Sequence, residues 1–270
     1  MEKIKRNRCN NGRTESCQND ENGGIGLPLP LNWTLEAIER QVTSELHHGT
    51  PGLNARAKAQ LAQDLMPQAP YWVPRLKASR EAGCREIAAK LVAPLWMAED
   101  VWTPTVLALA DDADWEVREW AVDPFCHALR SGAFERIESL SRESSEGVKR
   151  AIAVAVKSVA HDRIPELADK LLHVIDPFMR EEGEYLRKNL GPFCVGDGLL
   201  AVYPEETLKA LKGWGHDLFW ASRWNTAMAF TTAKSRSYAD RGQAILTRLQ
   251  QDPDRRVVRA AQKATRNLHR

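Results

Sequence analysis

Five short fragments, EVREWA, GVKRAI, YLRKNL, ASRWNT and VVRAAQ, place a basic residue at Arg118, Lys149, Arg187, Arg223 and Arg259. The gaps between those residues are 31, 38, 36 and 36. Weaker copies, LNARAKAQL and GCREIAAKL, carry the series back to Arg56 and Arg85, with gaps of 29 and 33. A unit of this length cannot bury its own apolar face, so the units must stack on one another. The expected fold is therefore all-α, a solenoid of antiparallel helix pairs, with about seven pairs between residues 33 and 270.

Helical periodicity supports the repeat. Val117, Trp120, Ala121, Pro124, Phe125 and Ala128 follow the i, i+3, i+4, i+7 spacing of one helical face, and Val148, Ala151, Ile152, Ala155, Val156 and Val159 repeat it. PEETLKALKGW (204–214) reads as a helix of its own. Pro204 suits a first turn, Glu205 and Glu206 the positive end, and Lys209 and Lys212 the negative end. Alternating β-branched runs and Asn-Gly turns are nearly absent.

Acids recur as well. Asp112, Glu143, Glu181 and Asp217 each stand six residues before a repeated basic residue, and Asp252 and Asp254 flank the place in the last repeat. An acid in the turn and a base on the next helix can form a ladder between neighbouring repeats, so the repeated bases read first as structural. Their worth depends on burial, since exposed ion pairs contribute little.

Charge is unevenly spread. Residues 234–270 carry ten Lys/Arg against three Asp, whereas residues 33–179 carry 17 Lys/Arg against 22 Asp/Glu. A basic end on a near-neutral body points to an anionic partner or to a solvated terminal helix. Five scattered cysteines without a CxxC pair argue against a disulfide framework and a zinc site. The adjacent His47 and His48 read as a helix-end feature, and no metal or cofactor is expected. Apolar runs fall short of a membrane span, and the basic start MEKIKRNR leads into no secretory signal; a cytoplasmic monomer is expected. Residues 1–32, rich in Asn, Gly and charge, read as a disordered segment ahead of a repeat domain spanning 33–270. GGIG (23–26) reads as linker.

The stretches DWEVREWA (114–121), VKRAIAVA (148–155), EYLRKNLGPFCVGDGLLAVYPEETLKALKGW (184–214) and RWNTAMAF (223–230) resemble HEAT-like repeat proteins of the DNA alkylation repair group, which includes alkylpurine DNA glycosylases. The resemblance covers roughly residues 100–270. It implies a HEAT-like solenoid that cradles duplex DNA, with basic side chains on phosphates. Aromatic and carboxylate groups would stabilise the cationic sugar as a positively charged base departs. Many members of the wider HEAT group are scaffolds that bind other proteins, so that class stays open.

Residues can be assigned on this basis. Trp120 falls on the apolar stripe and reads as core. Trp115 and Glu119, four apart, can share the opposite face, giving a base-binding indole beside a catalytic carboxylate. Asp197, in FCVGDGLL beyond a helix that Pro192 kinks or ends, corresponds roughly to a second groove acid. Its spacing departs from the family by one residue, and its flanking glycines equally suit a turn. A Trp followed four residues later by Asp, used by one subgroup, is not reproduced at Trp102, where position 106 is Val. Trp224 is a second candidate aromatic. Arg150, Lys157, Lys188, Arg255, Arg256 and Lys263 are candidate phosphate contacts, which position a duplex without reading its sequence.

Overall fold

The computed structural model describes residues 33–44, 46–47, 50–51, 53–142 and 145–268, and the expected disordered segment 1–32 lies outside them. Helices α1 (Leu35–Val42) and α2 (Ala55–Leu65) come first, separated by two-residue strands β1 (Leu46–His47) and β2 (Thr50–Pro51) that pair antiparallel. His47 thus lies in a backbone ladder opposite Thr50, not at a helix end. Helix pairs follow: α3 (Ala69–Lys77) with α4 (Ala82–Ala98), and α5 (Thr103–Ala110) with α6 (Trp115–Trp120) and α7 (Asp123–Arg130). Next come α8 (Phe134–Ser141) with α9 (Glu146–Ala160), then α10 (Ala168–Ile175) with α11 (Glu184–Asn189), a π-helical segment Leu190–Leu199 and α12 (Leu200–Val202). The last pairs are α13 (Pro204–Trp214) with α14 (Trp220–Ala229) and α15 (Ala239–Leu249) with α16 (Arg255–Leu268).

Within the unit Trp33–Arg270, the second helix of each pair packs on the second helix of the next. This layer runs α4, α6–α7, α9, α11–π, α14, α16. The first helices form the other layer, and the apolar core lies between the two. The fold is an all-α solenoid.

Apolar stripes explain the stacking. Val148, Ala151, Ile152, Ala155, Val156 and Val159 of α9 are all buried, as their spacing predicts. Each large aliphatic side chain removed from water in this way contributes about 1.5–3 kcal/mol before entropy is counted. The stripe at 117–128 is also buried apart from half-buried Trp120, but it spans two helices. Pro124 has no N–H, and its ring would crowd the Trp120 carbonyl in a continuous helix. The chain therefore breaks at Ala121–Val122, and Pro124 sits in the first turn of α7.

A second proline acts differently. Pro192 does not end the helical run; the backbone widens into the π segment Leu190–Leu199. Three glycines let the segment lie close to both neighbours. A Cβ on Gly191 or Gly196 would meet the carbonyl of Asn225 or Ala229 on α14 at 2.8 or 2.5 Å, and one on Gly198 would meet Lys157 Cα on α9 at 3.1 Å. Asp197 consequently lies within a helix, not in a turn.

Candidate nucleic-acid interface

Three of the repeated bases, Arg85, Lys149 and Arg223, form a ladder between repeats, whereas Arg56 falls at the second residue of α2, out of register with them. Four of the arginines reach back to carbonyls of their own turns: Arg85 donates to Ser79 O and Arg80 O, Arg118 to Asp112 O and Ala113 O, Arg187 to Glu182 O, and Arg223 to Asp217 O and Leu218 O. Across repeats, Arg85 Nε meets Asp112 Oδ2 at 2.7 Å, Lys149 Nζ meets Glu181 Oε1 at 2.6 Å, and Arg223 Nε meets Asp252 Oδ2 at 2.6 Å. Burial raises the cost of ionising Asp112, but the Arg85 guanidinium and the Asp114 amide outweigh it and hold the carboxyl below its ordinary range. Glu143 lies outside the described residues.

Register settles the last repeat. Ladder bases stand at the fourth residue of α4, α9, α11 and α14, and that position in α16 is Val258. Asp252 is six residues before Val258, so Arg259 lies off the ladder. A further departure is Arg187. Its acid, Asp217, is taken by Arg180 at 3.0 Å, and the Arg187 guanidinium instead lies 4.8 Å from the ring centres of both Trp220 and Trp224. Desolvation there pushes its pKa down. Arg256 covers Trp220 at 3.3 Å while gripping Asp254, and this grip lowers the Asp254 pKa to about 2.

The two candidate acids flank one helix. Glu119 on α6 pairs with Arg150 of α9, and Asp197 lies 3.9 Å from Lys157 of α9. Arg150 and Lys157 are seven residues apart, so the two pairs sit about 10 Å apart along α9. Arg150 is 6% exposed, with its Nε unpartnered; it is not the exposed phosphate contact that its helical face implied. Its guanidinium and that of Arg118 lie over the Tyr185 ring at 5.8 and 5.6 Å.

The indole beside Glu119 is not the expected one. A groove of about 300 Å³ beside Glu119 is lined by Lys90, Trp120, Asp123, Cys126 and Ser158, so Trp120, not Trp115, shares it. Trp115 opens α6 and is 62% exposed. Trp224 is half-buried against Arg187. Lys157 also lies over Phe193, at 5.2 Å. Lys188 is exposed and paired with Glu184 on its own helix at 2.7 Å.

Helix α16 stands out. It contains no acid, and Arg255, Arg259, Lys263 and Arg266 line up along its exposed side without an ion pair to any described residue. Sequence reasoning missed Tyr185 and Lys234, whose ammonium bridges Asp197 O and His161 Nε2 at 3.0 and 3.2 Å. Both lie on neighbouring repeats, where periodicity within one helix gives no signal.

Other chemistry finds little purchase among the described residues. No cluster of three or more His, Cys, Asp or Glu could hold a metal ion, and no helix is long and apolar enough to cross a membrane. Cys84, Cys126 and Cys194 are buried, which pushes the Cys84 and Cys194 thiols up to about 11 and about 12. Thiols of that kind are poor nucleophiles at neutral pH.

No family model matches the chain, and no curated protein matches it. Among solved structures, a designed armadillo repeat protein is 18% identical, covering 75% of this chain and 99% of its own, with a TM-score of 0.35. An engineered protein is 15% identical, covering 75% of this chain and 96% of its own, with a TM-score of 0.34. The class is defined by the packing of the chain's own helices: a helical-repeat protein.

Proposed function

We propose that the repeat domain binds duplex DNA through its phosphate backbone. The observation that carries this reading is the stripe Arg255, Arg259, Lys263 and Arg266 on an acid-free terminal helix. These four positions span eleven residues, about 16 Å, which matches several phosphates along one strand. Unpaired cations of this kind can neutralise phosphates without first giving up an internal partner. The resemblance to the alkylation repair group supports the same partner, and an excision activity on cationic alkylated purines is its finer form.

Excision places a demand on the site. Glu119 would have to leave Arg150 before its carboxylate could face a developing oxocarbenium, and Asp197 would have to act beside Lys157. That both acids already have cations beside them favours the competing reading, a non-enzymatic scaffold for a protein partner. Incubating the protein with methylated duplex DNA separates the possibilities. Retention of the duplex with release of free purine supports excision, retention alone supports binding without chemistry, and no retention at low salt supports the scaffold.

A further inference from the structure

The turns that lead into the second helices can be compared once the register is fixed. Five of them end in a residue with little apolar surface, Glu81, Asp114, Ser145, Gly183 or Asp254, and three of these cap the helix with a side chain. Asp114 and Asp254 accept from the amides of Glu116 and Arg256, both at 2.8 Å, and Ser145 accepts from that of Val148 at 3.2 Å. The equivalent residue before α14 is Phe219, which makes no side-chain cap. Before it stands Leu218, where the sequence has Arg80, Ala113, Ser144, Glu182 and Pro253 at the equivalent positions. Leu218 is 94% exposed and Phe219 51% exposed.

This turn is held firmly. Arg223 donates to the carbonyls of Asp217 and Leu218, both at 2.8 Å, while its other nitrogens grip Asp252. The Phe219 amide donates to Asp217 Oδ1 at 3.0 Å, and Asp217 is tied to Arg180. A helix cap has thus been given up on a stiff turn that projects two large apolar side chains into water. A cation lies on the residue that follows them. Trp220, next in sequence, lies under the Arg256 guanidinium, and α14 packs on α16 with its basic stripe.

We infer that Leu218 and Phe219 form a wedge that enters the minor groove and unstacks a base step of a duplex held by α16; this rests on the DNA-binding reading above. Apolar side chains set among phosphate-holding cations are the means by which proteins prise a base step apart and kink a duplex. Insertion suits this pair because the turn is already ordered, so little freedom is lost on binding. The wedge reads no sequence, in keeping with a backbone-held duplex.

The test uses the whole protein and a short AT-rich duplex carrying 2-aminopurine in place of its adenines, whose fluorescence rises when a base unstacks. Wild type should raise that fluorescence at least twofold at saturation. The double variant Leu218→Ala, Phe219→Ser writes in residues found in sibling turns and restores a cap, so it should melt no lower than wild type. It should bind with an unchanged salt dependence and produce no rise. Leu218→Ala alone, at a side chain that touches almost nothing, should lose most of the rise without any effect on folding. If wild type binds the duplex without a rise, or the double variant gives the same rise, the wedge is wrong while DNA binding stands. If neither protein binds at low salt, the DNA-binding reading falls and takes the wedge with it.

Discussion

Removing the Arg223 side chain should be among the most damaging single changes at a charged residue. The Asp252 side chain is 3% exposed and that of Arg223 11%, and the pair is bidentate at 2.6 and 3.0 Å. Two further bonds run to the turn carbonyls of Asp217 and Leu218. Arg223→Ala leaves a buried carboxylate with only the Asp254 amide as donor and strips two carbonyls of theirs. Breaking a buried pair from one side commonly costs 3–5 kcal/mol, and some water will reach the space vacated, so about 3 kcal/mol is expected. Arg223→Lys keeps the charge but cannot serve the carboxylate and the carbonyls together, and should cost about half as much. Urea unfolding followed by circular dichroism and by tryptophan fluorescence measures both. A repeat array can lose cooperativity, so disagreement between the probes would itself locate the weakened repeat. A loss below about 1 kcal/mol for Arg223→Ala would refute the idea that the ladder fastens the repeats. Lys188→Ala, at a fully exposed pair, should leave the midpoint unchanged.

Three other outcomes are expected. Glu119→Gln should destabilise by about 2 kcal/mol because it strips a buried guanidinium of its anion, whereas Asp197→Asn should cost under about 1 kcal/mol; urea midpoints in the reverse order would contradict the pairing described. Gly198→Ala forces a Cβ to within 3.1 Å of Lys157 Cα and should lose about 1–3 kcal/mol, while Gly213→Ala, which meets nothing within 4 Å, should be neutral or stabilising in thermal melts. Asp254 has its pKa lowered from 3.8 to about 2, chiefly by Arg256, so its ionised form contributes stability above pH 4 that is lost as pH falls through 2. Protection of the amides at the start of α16, taken relative to their intrinsic exchange rates at each pH, should fall across that window, and no change there would count against the cap.

Much of the fold was legible because apolar stripes and the repeat period are properties of one chain read in order. The stripe of α9 needed nothing more. What stayed hidden depends on neighbours. Arg150 sits between Val148 and Ala151, and only the approach of α6 brings Glu119 to its guanidinium. The π segment leaves no mark in apolar spacing; Pro192 announced a disturbance, and the three glycines permitted a widening. Arg259 was placed on the ladder because VVRAAQ offers an arginine one residue from where Val258 stands. Fixing that register from Asp252 is also what exposes Phe219 as an apolar residue in a capping position.

The most direct test is the salt dependence of duplex affinity, measured by fluorescence anisotropy for wild type and for the variant Arg259→Ala, Lys263→Ala, Arg266→Ala. Each neutralised phosphate contributes roughly 0.9 to the slope of log K against log salt, so the triple variant should lose about 2–3 from the wild-type slope while keeping its helical spectrum. Equal slopes for the two proteins, or no binding by wild type at 50 mM salt or thereabouts, would contradict the assignment of α16 to phosphate.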